Sequence, residues 1–285
     1  MTGNIRYIKN RIESIKSTKQ ITNAMKMVAA AKLRRAQDRI LKARPYADHI
    51  NQMIKILKYK GKNSEHPLLC TSSESKEILI ILTSDRGLCG SFNSNIIRQA
   101  MKYIHDKKDT DLICIGKKGA DYLKKRTGRI IDTYKGIFNE MDFSVSKEIA
   151  AKILNFYLDK KYSAIKVIYN EFKSAIQQNI IIKDILPITI FTADNEISML
   201  DYIYEPDQYT IIDELGKKYV NIELWRMLLE SSAAEQGARM LAMDSATNNA
   251  TELIKELTLY YNRARQARIT KEIIEISSGA EAINK

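Results

Sequence analysis

The sequence predicts an α/β protein in which both chain ends pair as a long antiparallel two-helix coiled coil, with a central Rossmann-like α/β domain between them. Three observations carry that prediction. Apolar residues recur every three or four positions at both ends of the chain, which is the period of a single helix face. Glycine and proline punctuate the middle and spare the ends: no proline follows Pro206, and only Gly216, Gly237 and Gly279 interrupt the final segment. Between them, short apolar runs alternate with amphipathic stretches, as in a parallel sheet covered by helices. The expected organisation is an N-terminal coiled-coil helix over 1–60, a Rossmann-like domain over 68–205 and a C-terminal coiled-coil helix over 207–285.

In the N-terminal arm, Ile5, Ile8, Ile12 and Ile15 share one face, and the pattern continues less strictly through Thr22, Met25, Val28 or Ala29, and Leu33. It resumes at Ile50, Met53 or Ile54, and Leu57, so residues 3–58 read as mostly helix. Pro45 lacks the N–H the helix ladder needs and is expected to kink or restart it.

In the middle, "EILIILT" (77–83) reads as a buried strand, followed by a helix from Asn95 to Lys107. "DLICIG" (111–116) is a second strand and "KKGADYLKKR" a short helix. Residues 144–161 form another helix, and 164–172 and 177–187 two more strands. The alternation predicts a parallel sheet.

The C-terminal arm opens on "EPDQ", with Asp207 placed as helix N-cap. Ala250, Leu253, Leu257, Tyr260, Ala264, Ala267, Lys271 and Ile274 then alternate steps of three and four, the a/d seam of a two-helix coiled coil. Some 75 helical residues would reach roughly 110 Å, so the arm is either a rod or is broken near Gly216 or Gly237. The alternative of both arms folding into a compact bundle does not suit so long a seam. Small residues crowd 24–36 and 231–250, and small side chains let helix axes approach closely. Setting the two clusters opposite each other pairs residues whose numbers add to about 270. Ile5 then meets the region of Arg265, and the last 15 or so residues extend past the partner as a single apolar helix.

The net charge of +12 lies wholly in residues 1–60, where fifteen Lys and Arg face only Glu13, Asp38 and Asp48; the rest of the chain balances. Such asymmetry calls for an acidic partner: nucleic acid, an anionic membrane or acidic protein surface. No run of 18 apolar residues appears, and the first sixteen residues lack the apolar stretch of a secretory signal. Three widely spaced cysteines and three scattered histidines have no metal-ligand spacing, so neither a zinc site nor a disulfide framework is expected, and the compartment reads as reducing and cytosolic.

"SDRGLCGSFN" (84–93) follows a strand and precedes a helix, where phosphate loops sit. It offers Gly87, Gly90 and Ser91 but matches neither GxxxxGK[ST] nor GxGxxG. A tight turn using glycine dihedrals explains it equally, and Cys89 reads as a buried thiol rather than a nucleophile. Asp85 and Asp201, Glu140 and Asp142, and Asp207 have no spacing that prefers acid/base work over surface charge, so no catalytic residue, cofactor or metal is assigned. A nucleic-acid-binding coiled coil remains open, although Tyr7, Tyr46 and Tyr59 are too few for a stacking platform. A Rossmann-type enzyme with helical extensions is a third reading.

Three stretches coincide in order: "KQITNAMKMVAAAKLRRAQDR", "TSDRGLCGSFN" and "NNATELIKELTLYYNRARQARITKEIIEISSGAEAI". Together they resemble the gamma-subunit family of the rotary ATP synthases, in its bacterial form and without the cysteine-bearing insertion of the chloroplast form. The resemblance implies a central rotor shaft whose C-terminal tip sits in a sleeve of three alpha and three beta subunits. It implies an α/β domain against epsilon and the ring of c subunits, with nucleotides handled on the beta subunits, and a peripheral protein on the cytoplasmic face of the bacterial membrane. Met25 matches the family methionine facing the acidic lever of a beta subunit, with Arg34 and Arg35 on the same basic surface. Arg239, Arg265, Gln266, Thr270 and Glu272 match positions that contact the beta subunits, and Tyr202 and Tyr204 the region touching the c ring. The sequence departs from the family at Lys26 and Arg268, both of which add positive charge.

Overall fold

A computed structural model of the chain describes residues 2–60, 66–70, 75–107, 109–138, 141–159, 161–175, 177–188 and 205–283. Contacts divide the chain into two units, one of residues 1–28 with 240–285 and one of residues 29–239. Two helices account for the chain ends: α1, Thr2–Lys60, and α5, Gln208–Ile283, neither interrupted. The expected restart at Pro45 does not occur. Pro45 lies on the exposed side of α1, so the Leu41 carbonyl that loses its partner is left to water. Nor does α5 break at its glycines. A Cβ on Gly237 would stand 3.3 Å from Ala175 Cα, so the glycine admits a neighbouring backbone rather than ending the helix.

The covered stripe of α1 is more regular than the sequence predicts. Ile5, Ile8, Ile12, Ile15, Lys19, Thr22, Lys26, Ala29, Leu33, Ala36, Ile40, Ala43, Ala47, Ile50, Ile54 and Leu57 are all buried or half-buried. They alternate steps of three and four without a break, a heptad pattern throughout. Lys19 and the alanines hide it from a search for large apolar side chains.

Within the first unit the two helices run antiparallel. Lys26 Nζ lies 2.6 Å from Asp244 Oδ1, and Thr247 Oγ1 lies 2.8 Å from Thr22 Oγ1 and 2.7 Å from Met243 O. These pairs add to 270 and 269, the register that the small residues predict. The seam on α5 differs from expectation. Ala250, Leu257 and Ala264 face inward, but Leu253 and Tyr260 are about half exposed, and Ile254 and Tyr261 take their places. Apolar residues stand side by side at 253–254 and 260–261, so periodicity could not choose between them. From Arg265 to Ala280 every residue is exposed, including Ala267, Lys271 and Ile274, as a helix running beyond its partner must be.

The second unit holds a five-stranded sheet. β1 (Glu77–Leu82), β2 (Thr110–Ile115), β3 (Ile130–Tyr134), β4 (Ala164–Phe172) and β5 (Gln178–Leu186) are ordered β3-β2-β1-β4-β5. The first four are mutually parallel, but β5 pairs antiparallel with β4, a correction to the all-parallel expectation. The short connection from Phe172 to Gln178 leaves no room for a crossover and forces a hairpin. β3, which sequence reading missed, is a five-residue edge strand with no fully buried residue. α2 (Phe92–Asp106), α3 (Lys117–Leu123) and α4 (Phe143–Leu158) complete the unit.

β1 explains the apolar run "EILIIL": it is buried on both faces. Ile78, Ile80 and Leu82 enter a core with α4, residues 47–54 of α1 and residues 219–228 of α5. Leu79 and Ile81 face α2, α3 and Ala234. Where α5 lies over the first core, Glu223 is buried, accepts from Lys183 Nζ at 2.8 Å and Asn51 Nδ2 at 3.3 Å, and forms an ion pair with Arg226 Nη2 at 3.2 Å. Burial pushes its carboxyl up, but Arg226 and Lys183 outweigh that and hold it below the ordinary glutamate value.

Asp207 caps α5 as predicted: its carboxylate accepts from Thr210 N at 2.9 Å and from the Thr210 hydroxyl at 2.7 Å. Asp142 caps α4 in the same way, accepting from Ser144 N at 3.2 Å.

Candidate partner-binding surface and the loop beside it

In an open parallel sheet, ligands bind beyond the carboxyl ends of the strands, at the point where strand order reverses. Here that point is β1, and the loop 84–93 leaves it. The loop folds on itself. Ser84 N donates to Asn93 Oδ1 at 3.0 Å, Asn93 Nδ2 donates to Ser84 Oγ at 2.7 Å, and the Ser84 hydroxyl reaches Arg86 O. Leu88 and Gly90 both take positive φ, 63° and 57°, which makes the turn possible. Cys89 is buried beneath it, and burial pushes its thiol up, which is the opposite of an activated nucleophile.

Two backbone amides beside the loop are already taken. Asp85 Oδ1 accepts from Lys117 N at 3.0 Å and Gly136 N at 3.1 Å, so one carboxylate ties the loops after β1, β2 and β3 together. Above it lies α5. Gln178 Nε2 at the start of β5 donates to Ala234 O at 2.9 Å. Arg239 Nη1 pairs with Glu235 Oε1 at 2.7 Å, and its Nη2 donates to Gly87 O at 3.2 Å and Arg86 O at 3.4 Å. The loop region is thus bonded on one side to α5 and on the other, through Asp85, to the loops after β2 and β3. Among the described residues, no three metal-ligating side chains converge.

The residues singled out from sequence fall into three groups. Arg34 and Arg35 on α1, and Arg265, Gln266 and Thr270 on α5, are exposed, with Met25 half-covered. Glu272 is exposed and pairs with Arg268 Nε at 2.7 Å. Arg239 is buried, its guanidinium spent on Glu235 and the loop. Tyr202, Tyr204, Asp201 and Glu140 lie outside the described residues. The two departures noted from sequence, Lys26 and Arg268, both carry acid partners, so neither leaves an unbalanced charge. Lys32, Arg35 and Arg39 line one side of a groove of about 440 Å³ with Ser232 and Gln236 opposite.

The protein family described as ATP synthase matches residues 4–283. A curated ATP synthase gamma chain from Prosthecochloris aestuarii is 50% identical, covering 98% of each chain. One from Chloroherpeton thalassium is 48% identical, covering 99% of this chain and 98% of its own length. This chain belongs to the ATP synthase gamma-chain family. Among solved structures, the central stalk with c ring of Tetrahymena thermophila mitochondrial ATP synthase is 27% identical, with a TM-score of 0.63, over 79% of this chain and 99% of that one. A chain of Euglena gracilis mitochondrial ATP synthase, at 19% identity and a TM-score of 0.71, covers 99% of this chain and 95% of its own and shares the fold. The alternative of a nucleic-acid-binding protein finds no support in these likenesses.

Gamma-chain membership accounts for the coil, but not for the loop's internal bonding. Sequence reading weighed Asp85 only as half of an acid pair, and it did not single out Asn93 or Glu235 at all. Asn93 meets Ser84 nine positions away and Asp85 meets amides 32 and 51 positions on, which no local pattern carries; Glu235 and Arg239 are an i,i+4 pair whose meeting with the loop is set by the fold.

Proposed function

We propose that the chain is the central rotor shaft of a proton-translocating ATP synthase. It couples rotation of the membrane c ring to conformational change, and so to ATP synthesis or hydrolysis, at the beta subunits. The observation that carries this reading is that the gamma-chain likeness runs through both chain ends, and those ends are the helices that pair in register. The 1–60 and 207–285 arms serve as the shaft and 68–205 as the domain that meets epsilon and the c ring, with Tyr202 and Tyr204 on the c-ring side. The exposed Arg265, Gln266, Thr270 and Glu272, and Met25, Arg34 and Arg35, meet the alpha and beta subunits of the head. Arg239 joins them through whatever of its surface the loop leaves open.

The physics follows from asymmetry. Only a contact that differs between two conformations of a beta subunit can shift their equilibrium. A shaft whose basic face lies on one side presents a different surface to each beta subunit as it turns. Exposed ion pairs are worth only about 0–1 kcal/mol each, so such contacts attract without locking. Stiffness comes from the unbroken covered stripe of α1. No helix among the described residues is long and apolar enough to cross a membrane, in keeping with a peripheral subunit held by protein contacts on the cytoplasmic face of the bacterial membrane.

Affinity purification of the tagged chain tests the reading. It should bring down a nucleotide-hydrolysing hexamer of alpha and beta subunits with epsilon and c. Recovery alone, with salt-dependent retention on DNA, would contradict it.

A further inference from the structure

The loop 84–93 has the place of a nucleotide loop and the bonding of a joint. Its Arg86 and Gly87 carbonyls face Arg239 of α5, not solvent. Arg239 is aimed by Glu235 one turn earlier, itself buried, so the planar guanidinium is fixed as a two-sided fork. On the sheet side, Asp85 binds the amides that open α3 and follow β3. Asp85 Oδ2 and Glu235 Oε2 are both buried without a hydrogen-bond partner. Such oxygens are uncommon, and here both belong to carboxylates whose other oxygen is engaged in the joint.

We propose that Asp85, the loop 84–93 and the Glu235–Arg239 pair form a torque pin that fastens the carboxyl edge of the sheet to α5. The proposal rests on the shaft reading. Torque delivered to the sheet reaches α5 through two kinds of contact. Apolar packing, such as Ala234 against the sheet core, interdigitates but makes no atom-to-atom polar link, and Lys183–Glu223 and Gln178–Ala234 O tie α5 to the edge strand β5. The pin is directional: two N–H donors of one guanidinium bridge a carboxylate on the helix and carbonyls on the loop. The loop is in turn tied to β2 and β3 through one carboxylate. Rotation of α5 against the sheet must break these bonds before it slips. The loop in the phosphate-loop position thus serves as a mechanical element, with Asp85 bonded to the loops after β2 and β3.

The test uses the complete enzyme in vesicles and reads protons pumped per ATP hydrolysed. Asp85→Ala and Arg239→Ala should each lower that ratio at least threefold. The double variant should fall no further than the worse single, because both cut one connection. Asp85→Asn keeps an oxygen that accepts both amides and should retain the ratio within twofold. Amide exchange across 84–93 should quicken about tenfold in either alanine variant. If Asp85→Ala fails to assemble, Glu235→Ala replaces it, with the same expectation. An unchanged ratio in an assembled alanine variant, or a double variant whose loss is the product of the singles, would overturn the pin. The second outcome would place Arg239's effect at a partner instead. Failure of the unaltered chain to enter the enzyme would sink the shaft reading and is read separately.

Discussion

The paired chain ends and the sheet unit solve opposite problems. In the unit of residues 1–28 and 240–285 the covered stripe is narrow: Ile8, Ile12, Thr22, Met243 and Ala250 are buried, and the other described side chains are half-covered or exposed. In the unit of residues 29–239, β1 is buried on both faces, and charged side chains such as Glu223 and Glu235 are taken inside with partners. The first is a periodic object whose order comes from a repeat, so no single contact is worth much. The second is an aperiodic one, in which particular atoms meet across long stretches of chain and single losses are expensive. A surface to be read by changing partners belongs on the first, and a fixed attachment belongs in the second.

That contrast predicts a gradient of mutational effects. The largest is at Gly116, which has φ +102° and would place an added Cβ 1.9 Å from Thr83 O. Gly116→Ala should cost at least about 3 kcal/mol by chemical denaturation, from strain and backbone displacement together. Next is Ile80→Ala, fully buried beneath the helices, at about 2–5 kcal/mol. Gly116→Ala and Ile80→Ala should both leave the helix pairing of the chain ends intact in amide exchange. Cutting the last 15 or so residues removes exposed apolar side chains and should weaken assembly with the head before it abolishes coupled rotation. A fully assembled truncation with no coupling would break the comparison. The smallest effect is at Lys26–Asp244, whose side chains are about 40% exposed. A double-mutant cycle there should return about 0–1 kcal/mol.

Acid sharpens the same contrast. Hydrogen bonds from Thr210 and Ser144 hold Asp207 and Asp142 below the usual aspartate value. A lowered folded value stabilises above the unfolded pKa and fades as pH falls through the folded one. Helix α5 should therefore fray at its start as pH drops below about 4, and Asp207→Asn should shrink that dependence in amide exchange of residues 208–211. Burial raises Glu235 instead, with Arg239 opposing it. Stability from that site falls as pH rises from the unfolded glutamate value toward the raised one, and Glu235→Gln should remove this opposite slope.

What the sequence disclosed follows the same division. The coil register was legible because Ala24 to Ala36 and the small residues of 231–250 have to face each other, and Lys26–Asp244 and Thr22–Thr247 meet as that requires. The strand β4 was legible at 164–172 because Ile165, Val167, Ile168 and Tyr169 crowd its buried centre around a single Lys166. Leu253 and Tyr260 were misassigned because Ile254 and Tyr261 satisfy the period equally. β3 was missed because an exposed edge strand needs little hydrophobicity. The antiparallel turn of β5 follows from the short connection between Phe172 and Gln178, which admits a hairpin and no crossover. The joint around Asp85, Arg239 and Glu235 was out of reach: sequence supplied the residue types, but only folding brings the loop to the helix.

The central claim is that the chain ends pair antiparallel in one register. Spin labels at residues 19 and 250 of the full chain test it most directly, since both lie in the paired unit at positions that register sets opposite each other. Packed helix axes stand 8–10 Å apart, so with label arms the account predicts a single narrow distance of roughly 10–20 Å. A broad distribution, or a distance beyond about 30 Å, equal to a shift of several helix turns, would contradict it.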